Sequence, residues 1–162
     1  MLSAAQKQAI KAVILADPVL AAQPMNSDGA FAIAAALNVE ASPAFVVWRS
    51  QVSQDEITQN GFTWSEVDNL SVGKARIWEW LFLNEMRSMN PSRANVRAGI
   101  VECWSGTAGK LAVQAAVFIH CKRNATRAEK ALATGTGTDA VPATMGYEGD
   151  LSYQDVQEAR IS

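Results

Sequence analysis

The only histidine of this chain, His120, stands directly before Cys121, one of two cysteines. In a hydrolase such a pair would supply a thiolate and its base. The spacing argues against that chemistry, because adjacent residues of a helix point about 100° apart and do not face each other. A lone histidine also excludes His-x-x-x-His metal sites and any two-histidine constellation within one chain. Ser105-Gly-Thr-Ala-Gly-Lys110 has part of a phosphate loop, but the Walker pattern needs glycine where Trp104 stands and serine or threonine where Leu111 stands. Gly135-Thr-Gly137 lacks the third glycine of a dinucleotide fingerprint and follows a helical pattern rather than a strand. The acidic neighbours Asp55-Glu56, and Glu66 with Asp68, suit helix starts and the helix dipole. No catalytic, cofactor or metal residues are therefore expected, and Cys103 and Cys121 are expected as buried thiols of a chain made in a reducing cytoplasm.

The elements that would have positioned such groups read as helices. Ser3 caps a first helix to about Ala16, ended by Asp17-Pro18. Ser27 or Asp28 begins a second, through about Asn38. Ser42-Pro43 reads as a start signal, with Phe45, Trp48 and Val52 at helical spacing, so Phe45–Trp48 is expected as helix although its propensity suits a strand. Ser53-x-x-Glu56 and Thr63-x-x-Glu66 have the capping-box form and bracket a turn at Asn60-Gly61. Ser71 caps a helix to Arg87 with Trp78, Leu81, Phe82 and Met86 inward; Trp78 and Trp80 cannot share its buried face. Asn90-Pro91 starts another, carrying Val96, Ile100 and Trp104. A last helix from about Ala108 to Ala133 shows Leu111, Ala115, Phe118, Ile119 and Lys122 at the expected spacing. The prediction is an all-α bundle of five to six helices.

Residues 134–162 differ in character, with four glycines and no helical repeat before about Ser152. Val141, Met145, Tyr147, Leu151, Tyr153 and Val156 nevertheless need cover. The expected division is a helical body, 1–133, and an extended C-terminal arm, 134–162, that finds this cover on a neighbouring subunit. Charge is segregated too. Residues 1–73 carry a net −4, residues 74–130 a net +6 and residues 131–162 a net −4, which suits head-to-tail contacts between subunits and equally a folded monomer whose blocks neutralise each other internally. The basic run Lys122, Arg123, Arg127 and Lys130 reads as a solvated face or a contact face for an acidic partner, with DNA phosphates as the less common alternative. No apolar run approaches the roughly 20 residues of a membrane span, and the N-terminus has no basic start followed by an apolar block, so neither a membrane nor a signal peptide is expected.

Four segments carry a resemblance: Val46-Val-Trp-Arg-Ser-Gln-Val, Gly73-Lys-Ala-Arg-Ile-Trp-Glu-Trp, Ala125-Thr-Arg-Ala-Glu-Lys-Ala-Leu-Ala-Thr-Gly-Thr-Gly-Thr and Glu148-Gly-Asp-Leu-Ser-Tyr-Gln-Asp-Val-Gln-Glu-Ala-Arg160. With them the chain resembles small helical proteins of tailed bacteriophages and prophages, encoded in the head-to-tail module. The resemblance implies a non-enzymatic head–tail connector, adaptor or head-completion protein: a virion component, made in the host cytoplasm, that forms a homo-oligomeric ring beneath the portal. Its implied partners are copies of itself, the portal, a tail-side connector or tail-terminator protein, and DNA passing through the ring without sequence-specific binding. Tyr147, Leu151, Tyr153 and Val156 would be the arm's anchors on the portal or a neighbouring subunit. The alternatives are a tail-completion or minor head protein, or a small helical DNA-binding or packaging accessory protein.

Overall fold

The computed structural model describes residues 1–59 and 61–162. In chain order its helices begin with α1 (Ala4–Ala16), α2 (Pro18–Ala21) and α3 (Ser27–Leu37). Strands β1 (Val46–Trp48) and β2 (Val52–Ser53), helix α4 (Gln54–Gln59), a 3₁₀ turn at Trp64–Glu66 and α5 (Val72–Leu81) follow. Then come β3 (Ser88–Met89), α6 (Ala94–Cys103), α7 (Ala108–His120), β4 (Lys122–Asn124), α8 (Arg127–Leu132) and α9 (Tyr153–Ile161). The fold is helix-dominated, as expected, but not purely α: β1 pairs with β4, and β2 runs antiparallel to β3 with Val52 opposite Met89.

The chain divides into two compact units, one discontinuous (1–47 with 124–162) and one continuous (48–123). This replaces the expected boundary at residue 133. The discontinuous unit packs α1, α3, α8 and α9 around Ile10, Ile14, Ile33, Leu37, Leu151 and Val156. Ser3 closes a capping box on α1 with Gln6, as its position before the apolar repeat implies. α9 has a capping box of its own, Ser152 with Asp155, and buries Val156 and Ala159 completely. Lys7 bridges to Glu158 at 2.7 Å, and the Arg160 guanidinium donates to the carbonyls of Gln23 and Pro24 at 2.6 and 2.7 Å. The Asn38 amide makes a two-way clasp on Leu151, donating at 3.0 Å and accepting at 2.9 Å. The expected extended arm is thus part of its own subunit's core, because its nine-residue helix α9 packs Val156 and Ala159 against α1 and α3.

The segment after Ser42-Pro43 also departs from the expected helix: Ser42 and Pro43 bend and Val46–Trp48 is a strand. The Phe45 carbonyl accepts from the Ala125 amide at 2.8 Å, that of Val46 accepts from Ala143 at 2.9 Å, and the Val46 amide donates to Gly137 at 2.8 Å. These partners lie far along the chain, so no local pattern announces them. The Gly-Thr-Gly-Thr run is thereby explained without any ligand. Gly137 sits at φ 68°, and a Cβ there would lie 2.2 Å from the Phe45 ring. Gly137→Ala is expected to cost about 2–4 kcal/mol, from left-handed strain plus overpacking, read as a lower urea midpoint with an unchanged slope.

The continuous unit has a separate core of Val52, Ile57, Trp78, Phe82, Ile100, Trp104, Val113 and Val117. Trp104 is fully buried and stands edge-on to Trp78 at 5.2 Å and to Phe62 at 5.6 Å. Its indole N–H has no hydrogen-bond partner among the described residues. Helix α6 starts later than Asn90-Pro91 implies, at Ala94, because the Asn90 carboxamide instead accepts from the Ser92 amide in a local turn. Ser53 accepts from the Glu56 amide as expected, but the 3₁₀ turn after Thr63 has no side-chain cap. Asn60 of the expected Asn60-Gly61 turn lies outside the described residues; Gly61 has the positive φ, 75°, that such a turn requires.

Candidate docking cleft

The cysteines and the Ser105–Lys110 segment serve the fold. Cys121 follows the last residue of α7, and burial pushes its thiol up to about 12; Cys103, also buried, is pushed up to about 11. Neither is a thiolate at neutral pH. In the Ser105–Lys110 loop Thr107 caps α7, and the Lys110 ammonium donates to the Asn69 carbonyl at 2.9 Å. The Glu66 carboxylate lies so close to Gly109 that a Cβ there would meet it at 2.0 Å. A carboxylate of the chain itself therefore sits against the first turn of α7, where a phosphate would have to bind. Among the described residues no three His, Cys, Asp or Glu side chains are grouped to hold a metal, and no helix is long and apolar enough to cross a membrane.

The expected anchor residues lie inward. Leu151 and Val156 are 3% and 0% exposed in the core of the discontinuous unit. Tyr153 is half-buried and stacks on Phe31 with ring centroids 4.3 Å apart. Tyr147 is half-buried, donates its hydroxyl to the Asp150 carbonyl at 2.7 Å, and has its phenol shifted up by burial.

The expected basic face is not one helical face. The long helix read over 108–133 ends at His120, because the chain turns extended at Lys122–Asn124 and restarts at a Thr126–Glu129 capping box. Lys122 and Arg123 belong to β4. Arg127 opens α8 and holds Asp17 at 2.8 Å, and this hydrogen bond keeps the Asp17 carboxyl below the usual carboxylate range. Lys130 rests 5.5 Å from the Phe45 ring centroid.

What the sequence reading did not single out is the C-terminal end of α5. Ser71 caps this helix through the Lys74 amide, as expected, but the helix stops at Leu81 rather than Arg87. Trp78 turns inward, 7% exposed, and Trp80 outward, 67% exposed, the separation their spacing required. Phe82 folds into the core, after which the chain crosses the surface with Leu83 78% and Met86 60% exposed. Met86 is therefore not on the buried face expected for it. The loop is firmly built. The Asn84 side chain accepts from the Ser88 amide at 3.1 Å and donates to its carbonyl, Arg87 adopts φ 43°, and the Gln54 amide donates to the Arg87 carbonyl at 2.9 Å. A left-handed arginine held in place by its neighbours is backbone strain of the kind that accompanies functional surfaces. Beside it opens a cleft of about 620 Å³ lined by Gln54, Trp78, Glu79, Phe82, Glu85 and Arg87. Its apolar wall and mixed charges can seat a protein segment; it contains no nucleophile paired with a base.

Set against models of known protein families, curated proteins and solved structures, this chain matches none.

Proposed function

We propose that this chain is a non-enzymatic structural subunit of a tailed-phage particle, a head–tail connector or adaptor that assembles as a ring beneath the portal. The observation that carries the reading is the surface at the end of α5. Three large apolar side chains, Trp80, Leu83 and Met86, lie exposed within seven residues beside a strained loop and a cleft. Side chains of this size left open to water on a rigid frame are what a protein partner covers. The sequence resemblance supplies the identity of that partner, the portal or a tail-side protein, and one resembling segment, Gly73–Trp80, leads into this surface. The loss of a common basic face weakens the DNA-accessory alternative.

The test is electron microscopy and light scattering of the chain with and without the portal, using wild type and a Leu83→Asp/Met86→Asp double variant. Wild type should decorate the portal as a ring, and the double variant, altered only at exposed positions, should fold yet fail to bind. Binding that survives the double substitution would move the docking surface elsewhere. A chain that ignores portals and instead shifts duplex DNA would replace the reading with the packaging-accessory one.

A further inference from the structure

Two helices of this chain carry an uncharged, largely apolar stripe on the side that faces water. In α7 the residues Ala108, Leu111, Ala112, Ala115 and Ile119 are all exposed, Leu111 at 48% and Ile119 at 69%. At 3.6 residues per turn they fall within about 100° of one another. Leu111, Ala115 and Ile119 belong to the stripe that the sequence pattern assigns to the core, yet Val113 and Val117 on another side of the helix fill that role. The polar groups of α7 lie off the stripe: Lys110 is bonded to Asn69, and Gln114 donates to the Trp104 carbonyl at 3.1 Å. In α1 the exposed side holds Ala5, Gln8, Ala12, Leu15 and Ala16, again within about 100°. Leu15 is 66% exposed, and Val19, just beyond the helix, 69%. The charged residues of α1 point elsewhere, Lys7 to Glu158 and Lys11 to the Ser162 carbonyl. Each helix has 13 residues, and neither outward stripe carries a charge.

We infer that the α7 face of one copy packs on the α1 face of the next, making a head-to-tail contact between copies of this chain. Charge selects this pairing. The discontinuous unit, which holds α1, has five basic and nine acidic side chains, and the continuous unit, which holds α7, has nine basic and seven acidic. Net charges of −4 and +2 attract when unlike units meet and repel when like units do. Uncharged stripes of alanine with a few larger residues let two helices approach closely without stranding a buried charge. A contact between two different surfaces of the same chain is heterologous, so it propagates and closes into a ring if the rotation permits. A single pair of 13-residue helices is shorter than a standard interface of about 800 Å² per partner requires, so each contact is weak and closure, giving every subunit two, is what makes it hold. The contact supplies the subunit interface of the ring proposed above and rests on that reading only for its biological setting.

Sedimentation velocity on the full chain tests it with Leu15→Lys and Ile119→Lys, both at exposed positions and both checked for a native circular dichroism spectrum. Wild type should associate with rising concentration, and each variant alone should associate at least tenfold more weakly. An equimolar mixture of the two should form a two-subunit complex and nothing larger, because one intact face remains on each. Association abolished by Ile119→Lys but untouched by Leu15→Lys would point to a two-fold α7 contact and overturn the proposal. So would a wild-type chain that stays monomeric at its highest soluble concentration. Self-association through these faces without portal binding would keep this contact and remove the connector reading. Portal binding with both variants assembling normally would do the reverse.

Discussion

Deleting residues 134–162 should leave a chain whose discontinuous unit no longer folds. The deletion removes Leu151, Val156 and Ala159 from the core of α1, α3 and α8, and with them the half-buried rings of Tyr147 and Tyr153. Burial of Leu151 and Val156 alone is worth about 1.5–3 kcal/mol each, and the tyrosines add comparable area. The Asn38–Leu151 clasp, the Lys7–Glu158 pair and the Arg160 bonds go too. A total of well over 5 kcal/mol approaches the whole stability of a typical domain, about 5–15 kcal/mol. Glu129, 1% exposed, would also lose one of its bonds, because its carboxylate accepts from the Gly149 amide at 3.0 Å as well as from the Thr126 amide at 2.9 Å. The expected readout is loss of helical signal well beyond the nine residues of α9 and rapid proteolysis of residues 1–47. Val156→Asp, a single change that places a carboxylate in the same core, should act in the same direction. A truncated chain that melts cooperatively at the wild-type temperature would show that this core closes without α9.

The local signals in the chain were legible, and the non-local ones were not. Ser3 and Ser71 cap the helices they precede because a cap needs only its own next three residues. The break after His120 was legible too. Thr126-x-x-Glu129 is a capping box in plain sequence, and giving it the weight allowed to Ser53 and Thr63 would have divided the long helix in two. The strand at Val46 was not legible, since the groups that hold Phe45 and Val46 extended come from Ala125, Gly137 and Ala143. The placement of the last thirty residues failed for a related reason. Apolar residues spread over 141–156 say that cover is needed, and only the groove left between α1 and α3 says where it is. At the candidate surfaces a subtler limit applies. Periodicity in α7 identifies an apolar stripe, but a helix with apolar residues on two sides gives no sign of which one the core takes. The α5 surface was half-visible: Trp78 and Trp80 had to part, and the exposed run at Leu83 and Met86 depended on the helix ending early at Leu81.

Trp104→Ala should be the most damaging point substitution in the continuous unit. The side chain is the largest one fully shielded from water, at the end of α6 and in ring contact with Trp78 and Phe62. Truncating a buried tryptophan costs about 3–5 kcal/mol, the upper part applying where neighbours cannot relax into the space. Relaxation is restricted here, because Trp78 is also set edge-on against Phe82 at 5.0 Å and Phe62 against Trp64 at 5.0 Å. Beyond lost area, each aromatic pair contributes about 0.5–1.5 kcal/mol, and Trp104 takes part in two of them. The loss should extend to the surface at the end of α5, since Trp78 and Phe82 line the cleft there and Trp78 leans on Trp104. Near-ultraviolet circular dichroism reads the coupled tryptophans directly and should lose most of its intensity, while the urea midpoint falls. Trp104→Phe, which keeps one aromatic ring and loses the five-membered part of the indole, should recover part of the lost stability, because a ring still fills most of the space and the deleted N–H forfeits no hydrogen bond among the described residues. If Trp104→Ala instead left the near-ultraviolet spectrum and the midpoint unchanged, the aromatic cluster would not be what holds this unit together.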